Sequence, residues 1–245
     1  MLLKDKVCVV TGAASGIGRE ISLAYAKEGA KVAGVDVQLQ KALDTAGLTG
    51  GSAHACDLRS VQQIEQVMQE IYQKYGRVDV LVNGAGLANR TQVEAITEQE
   101  WDLLMDVNLK ATFFMAQQAY RIMCKQGSGK IINIASHRAR MADGRHTIYD
   151  ATKAGVEAIT RSLAVAGGDQ GVFTNTLAPT YVITPMTAHN LERKDWVEYV
   201  SSRIPIGRLL KAEEMANFAV FMASELSNGM NGHTIMVDGG WTIHE

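Results

Sequence analysis

The chain has 245 residues, 47% hydrophobic, 20% charged and 6% aromatic, apolar enough for one large core and too sparsely charged for disorder. Its 24 Lys and Arg nearly balance 26 Asp and Glu, a net charge of −2 with no block of one sign. That excludes a nucleic-acid binder, whose affinity needs a basic surplus on one face. The opening MLLKDKVCVVTGAASG is interrupted by Lys4, Asp5 and Lys6, and no apolar run approaches the length of a membrane span. The three cysteines, Cys8, Cys56 and Cys124, form no CxxC pair and read as reduced packing residues. No metal centre is expected, and a cytoplasmic location is.

Short β-branched runs alternate with segments of helical period. Val7–Val10 is an apolar strand ending in a glycine-rich turn, and Ile17–Glu28 is a helix stopped by Gly29. Strand Lys31–Asp36 and a weaker strand, Ser52–Cys56, follow. Helix Ser60–Tyr75 carries Val61, Ile64, Val67, Met68 and Ile71 at helical spacing. Strand Val78–Val82 closes on Asn83-Gly84-Ala85-Gly86, and Thr97-Glu98-Gln99-Glu100 is a capping box opening a long helix to about Lys125. Strand Lys130–Ile134, helix Tyr149–Ala166, strand Val172–Leu177, helix Glu213–Ser224 and strand Thr234–Val237 complete the series. Strands apolar throughout, alternating with helices, predict a single α/β domain: a doubly wound, seven-stranded parallel sheet with helices on both faces. Residues 1–178 lack proline, whereas Pro179, Pro185 and Pro205 punctuate a long connection at the carboxyl edge of the sheet. Its length and place predict a substrate lid at about 180–210.

Thr11-Gly-Ala-Ala-Ser-Gly-Ile-Gly18 lies between the first strand and the first helix. Glycines there allow close backbone approach, and the helix amino terminus offers N–H groups to an anion such as a dinucleotide pyrophosphate. The spacing is GxxxGxG rather than GxGxxG, and Arg19 after Gly18 excludes a P-loop. Asp36, 18 residues beyond Gly18, ends the second strand, where a carboxylate accepts from an adenosine ribose and repels a 2′-phosphate. NAD is therefore predicted over NADP. Tyr149-Asp-Ala-Thr-Lys153 sets a phenol and an ammonium on one helix face, where the cation favours phenolate and general-base chemistry. Ser136 falls at the carboxyl edge of the sheet, where ligands bind.

Taken in order, TGAASGIG, Asp36, Asp57-Leu58, Asn83-Gly-Ala-Gly86, Val107-Asn108, Ile134-Ala-Ser136, Tyr149-xxx-Lys153, Pro179-Thr-Tyr-Val-Ile-Thr184 and Val237-Asp-Gly-Gly240 resemble the short-chain dehydrogenase/reductase family over essentially the whole chain. The resemblance implies a Rossmann-type fold and NAD-dependent hydride transfer between a secondary alcohol (polyol, sugar or hydroxy acid) and its ketone. It also implies a homotetramer built through the helices starting near Thr97 and Tyr149. By the same resemblance Tyr149 exchanges the proton with the substrate oxygen, and Lys153 lowers the Tyr149 pKa and binds the nicotinamide ribose. Ser136 hydrogen-bonds the reacting oxygen, and Asn108 holds a relay water behind Lys153. Gly12, Ser15, Gly16, Ile17 and Gly18 would surround the cofactor diphosphate and ribose, with Asp57 and Leu58 at the adenine. Asn83, Ala85 and Gly86 would line the cofactor further in, and Val182 and Thr184 would meet the nicotinamide carboxamide.

Two positions depart from the family pattern: Gly84 stands where a second Asn is usual, and Thr180 where Gly usually follows Pro179. Between Ser136 and Tyr149 lie Arg138, Arg140 and Arg145, and Arg138 is the candidate for a two-point clamp on an anionic substrate. The alternative is that these arginines are solvated or paired with acids. A 3-oxoacyl-thioester reductase is the competing activity, opposed by Asp36 and by Ser15 where a basic residue would favour NADPH. A catalytically silent dinucleotide sensor would not need Asn108, Ser136, Tyr149 and Lys153 together, and a methyltransferase has no use for Tyr149 and Lys153.

Overall fold

The computed structural model describes residues 1–244 and arranges them around one sheet of seven parallel strands. β1 (Val7–Thr11), β2 (Lys31–Asp36), β3 (Ser52–Ala55) and β4 (Val80–Asn83) alternate with α1 (Gly16–Lys27), α2 (Leu39–Thr49) and α3 (Val61–Tyr75). α4 (Glu98–Leu104), α5 (Ala111–Gln126), β5 (Gly129–Ile134), α6 (Thr147–Gly167) and β6 (Val172–Pro179) follow. An excursion then holds β7 (Val182–Ile183), α7 (Ala188–Leu191), α8 (Lys194–Arg203) and β8 (Leu210–Lys211), before α9 (Ala212–Ala223) leads into β9 (Thr234–Val237).

The strand order is β3-β2-β1-β4-β5-β6-β9. The chain winds outward from β1 in one direction and resumes at β4 in the other, so a crevice opens between their carboxyl ends. Thr11 and Asn83 pair at that edge, and the turns that follow them face each other across it.

The continuous apolar runs arise because both faces of each central strand are covered. Val10, Val32, Val82 and Ile132 pack under α1 and α9 with Ile21, Tyr25, Met215 and Ala219. Their strand neighbours Val9, Val35, Leu81 and Ile131 point the other way, under α3 and α5, with Ile64, Met68, Met115 and Met123. Each such fully buried aliphatic side chain stabilises the fold by roughly 1.5–3 kcal/mol.

Helix ends follow local chemistry. Ser60 Oγ accepts from Gln63 N–H at the start of α3, and α3 and α5 stop at Gly76 and Gly127, both with positive φ. The capping box at Thr97 is half made: Thr97 Oγ1 accepts from Glu100 N–H (3.2 Å), whereas the Glu100 carboxylate accepts from the Thr91 hydroxyl (2.6 Å). The long helix predicted from there is broken in hydrogen-bond pattern by a π-helical turn, Met105–Lys110, between α4 and α5. Within the excursion, Val200, Ile204 and Leu209 make a small core of their own, packed by Tyr181, Trp196 and Trp241. Among the described residues no helix is long and apolar enough to cross a membrane.

Candidate active site

The crevice at the carboxyl ends of β1 and β4 holds a cleft of about 370 Å³. Thr11 Oγ1 draws its two turns together by accepting the N–H groups of Gly84 (3.1 Å) and Ala85 (3.2 Å). Backbone meets backbone there. Gly12 has φ +73°, and a β-carbon on it would lie 2.9 Å from Ala85 N, while one on Gly18 would overlap the Gly12 carbonyl oxygen. The first turn of α1 carries no acidic side chain, and Ser15 makes no side-chain cap bond, so its N–H groups remain for an anion. At the end of β2, Asp36 Oδ2 accepts from Ala14 N–H (3.1 Å) and Oδ1 from Gln38 N–H (2.9 Å), fixing the carboxylate at the cleft. A tight glycine cradle, free helix amides and a fixed carboxylate together fit a dinucleotide.

Of the predicted cofactor residues, Gly12, Ser15, Gly16, Ile17, Gly18, Asp36, Asp57, Leu58, Ala85, Gly86 and Thr184 line this cleft. Val107, from the Val107-Asn108 motif, joins them, as do Arg59, Leu103 and Met186, which no motif marked. Arg59 grips the Asp57 carboxylate (2.6 Å) and holds it below the usual carboxylate range. Asn83 does not line the cleft. It is buried, its Nδ2 donating to Asn133 Oδ1 (2.9 Å) and Thr112 O (3.2 Å), so it ties β4 to β5 and α5. The Val182 side chain is likewise in the core, with Leu210 and Met215.

Gly86 marks the inner end. A β-carbon on it would lie 3.4 Å from Asn108 Oδ1 and 3.5 Å from Lys153 Nζ. Lys153 is buried, donates to Ile134 O (2.8 Å), and stands 5.5 Å from the centroid of the half-buried Tyr149 ring. Burial takes its ammonium down to about 8. The Tyr149 phenol is pushed up to about 12 by desolvation, against downward pulls from the Ser136 hydroxyl and the Arg138 charge. In the protein by itself burial, and not the Lys153 charge, sets the direction of the Tyr149 shift. Ser136 Oγ accepts from Arg138 N–H (3.2 Å) and lies 3.3 Å from His137 Nδ1.

Asn108 sits on the π-helical turn. Its Oδ1 accepts from Leu87 N–H (2.8 Å), and its Nδ2 donates to Leu87 O (2.8 Å) and Thr152 Oγ1 (3.2 Å). Both amide donors are consumed, so this side chain braces the cofactor turn against α6, and a water held by Asn108 would have to be held through an acceptor oxygen.

A family model described as enoyl-(acyl carrier protein) reductase matches residues 12–242. The D-threitol dehydrogenase of Mycolicibacterium smegmatis is 38% identical over 250 residues, spanning 98% of this chain and 94% of that one. The chain belongs to the short-chain dehydrogenase/reductase family. A second relative of this family, the 3-oxoacyl-(acyl-carrier-protein) reductase of Thermotoga maritima, is 37% identical over 248 residues, spanning 99% of this chain and 100% of its own. The crystal structure of a gluconate 5-dehydrogenase from Burkholderia cenocepacia, in complex with NADP and tartrate, matches with a TM-score of 0.95 at 31% identity, covering 99% of this chain and 97% of that one. This short-chain dehydrogenase/reductase is an NAD(P)-dependent oxidoreductase acting on CH–OH groups.

Its departures from the family pattern have a local logic. A β-carbon on Gly84 would lie 2.8 Å from the Thr11 carbonyl oxygen, so glycine suits the close approach of the two turns. Thr180 is buried, and its hydroxyl has no partner among the described residues. Arg138 is found paired with acids, the second of the two alternatives for it. Its Nε and Nη2 donate to the two oxygens of Asp150 (2.9 and 3.2 Å), and Nη2 also reaches Asp143 Oδ1 (2.9 Å). Two carboxylates already claim Nε and Nη2 of its fork, the arrangement expected if this arginine pairs with acids. Arg140 reaches Glu157 (3.4 Å) and Arg145 reaches Asp143 (3.8 Å).

An aromatic cluster beside Ser136 has no signature in the sequence. His137 packs against Tyr181 (5.4 Å between centroids) and Trp241 (5.7 Å), and Tyr181 also meets Trp196 (5.4 Å). Burial takes His137 down to about 4, so its ring is neutral near pH 7.

Proposed function

We propose that this dehydrogenase interconverts a secondary hydroxyl of a neutral polyol and the corresponding ketone, with NAD as its cofactor. The observation that carries this reading is the convergence at Gly86 of Asn108 and Lys153, with Tyr149 over Lys153 and Ser136 beside them. Bound NAD supplies the acceptor for the hydride that leaves the carbinol carbon. Tyr149 takes the hydroxyl proton, and Ser136 Oγ hydrogen-bonds the same oxygen as it gains carbonyl character. Lys153 holds a positive charge beneath the phenol and is placed to meet the nicotinamide ribose. Asn108 keeps the cofactor turn at the height these groups need.

NAD is favoured by Asp36, whose negative charge would face a 2′-phosphate. Neutral polyols are favoured over sugar acids because Arg138 is already paired with two carboxylates. D-threitol is the alcohol named for one relative, and gluconate the acid for another. The 180–210 excursion is read as a lid, because Thr184, Pro185 and Met186 line the cleft from that side. Exposed Trp101 on α4, Phe113 on α5 and Val165 on α6 support the homotetramer. The free cysteines fit a cytoplasmic, reducing location.

The test is a panel of threitol, glycerol, gluconate and a 3-oxoacyl thioester, each with both dinucleotides and with Tyr149→Phe as control. Neutral polyols with NAD are expected to win. Faster turnover of the thioester with NADPH would favour the acyl reductase reading, for which the Thermotoga relative speaks. Preference for gluconate would sink the neutral-substrate assignment.

A further inference from the structure

Arg138 is a charged side chain for which the reaction as described has no task. It is only 8% exposed and does not face solvent. From its main chain, the N–H donates to Ser136 Oγ (3.2 Å). From its side chain, Nε and Nη2 grip the carboxylate of Asp150, the residue that follows Tyr149 in α6 (2.9 and 3.2 Å). One residue therefore touches one member of the reacting pair directly and the helix neighbour of the other.

The contacts extend further. Asp143, the second acid on Arg138, also accepts from Arg145 N–H (3.0 Å) and lies 2.9 Å from His146 Nδ1. The Arg145 carbonyl accepts from Thr91 N–H (2.9 Å), in the loop that Asn108 pins at Leu87. A set of hydrogen bonds thus runs from Thr91, four residues beyond the Leu87 that Asn108 holds, through Arg145, Asp143 and Arg138 to Ser136 and to the first turn of α6.

We propose that Arg138 is a positioning residue: with Asp143 and Asp150 it holds Ser136 and Tyr149 at their reactive spacing and keeps a fixed positive charge toward the phenol. This rests on the reading of Ser136 and Tyr149 as the pair that meets the substrate oxygen. The polar and charged groups acting on Tyr149 are Lys153 and Asp150 from its own helix, Ser136 and Arg138 from the segment after β5, and Tyr181 from the segment after β6. A guanidinium suits the task because its planar fork serves two carboxylates at once, whereas an ammonium keeps the charge without the fork. Lysine in its place therefore separates charge from geometry.

The experiment compares Arg138→Lys, Arg138→Met and Asp143→Asn with the wild type. Threitol oxidation with NAD is followed from neutral to alkaline pH, NADH binding by calorimetry, and folding by thermal melting. Arg138→Met is expected to lower turnover at least about tenfold and to move the alkaline rise of kcat/KM upward by about one pH unit, since Tyr149 ionises later without this cation. Arg138→Lys is expected to return that rise to the wild-type pH while turnover stays several-fold low, with NADH affinity and melting near wild type. Asp143→Asn, which frees the loop but spares the Arg138–Asp150 pair, should raise KM without moving the rise. If Arg138→Met does not fold, the other two variants carry the test. Wild-type turnover in Arg138→Lys, or an unshifted profile in a folded Arg138→Met, would overturn the proposal. Near-normal activity in Tyr149→Phe would instead overturn the reading of the reacting pair.

Discussion

Replacing Asp36 by asparagine isolates the origin of cofactor preference, because the two side chains have nearly the same shape. The carboxylate accepts one backbone N–H on each oxygen, Ala14 on Oδ2 and Gln38 on Oδ1. A phosphate charge about 5 Å away would be repelled by roughly 3 kcal/mol per unit charge at an effective dielectric constant of about 20. Asp36 is partly solvent-exposed, and screening lowers this toward about 1.4 kcal/mol, or about tenfold. The expected preference for NAD in kcat/KM is thus between about tenfold and a hundredfold. The Asp36→Asn variant would not carry the charge, so most of that gap should close, mainly through a lower KM for NADP. The amide offers only one oxygen for two N–H groups, so the variant should also lose about 1 kcal/mol of stability, a few degrees in melting temperature. Steady-state kinetics with NAD and NADP on one alcohol, together with a melting curve, reads both effects. Equal use of the two cofactors by the wild type, or an unchanged ratio in the variant, would refute the reasoning.

Tyr149→Phe should cost at least about a hundredfold in turnover while dinucleotide affinity, measured by calorimetry, survives. Lys153→Met should weaken dinucleotide binding yet raise the melting temperature of the free protein near pH 7. The folded ammonium titrates near 8 against an ordinary 10.5, a burial penalty of roughly 3 kcal/mol that the lost bond to Ile134 O offsets by about 1. Between pH 8 and 10.5 the unfolded lysine keeps a proton that the folded one has lost, so wild-type stability climbs with pH and the variant's advantage shrinks. An advantage that grows with pH would contradict this. Gly18→Ala places a β-carbon on the Gly12 carbonyl oxygen, so it should lower melting and abolish dinucleotide binding together, and normal binding would show that the cradle has slack.

Much of the sheet was legible because a strand covered on both faces has no polar alternation to hide it. Lys31–Asp36 and Thr234–Val237 were read with their observed bounds. α2 escaped because it buries only Ala42 and Thr45, too little apolar surface to show a period. The π-helical turn at Met105–Lys110 has no residue signature, yet it carries Asn108. Residue type could be read at the site, but direction could not. Asn83 and Asn108 follow the family pattern, and their amides turn inward to hold other elements. Arg138 looked free because the acids that claim it lie 5 and 12 residues further on. His137, Tyr181, Trp196 and Trp241 come from separate segments, and only the fold makes them neighbours.

The wedge formed by Trp241 bears on how the excursion after β6 can move. Its root is clamped between the segment following β5 and the turn following β9, through His137, Tyr181 and Trp241. Swinging from that root would break the contacts of Tyr181 with His137 and Trp241, so the easier path bends the far side, around exposed Met186 and α7. Two of the three tryptophans, Trp196 and Trp241, sit in the joint, while Trp101 lies apart on the exposed face of α4. Indole emission therefore distinguishes the two modes. With Trp101 replaced by phenylalanine, a spectrum that stays constant through turnover would place the motion at the rim, and a red shift would place it at the root.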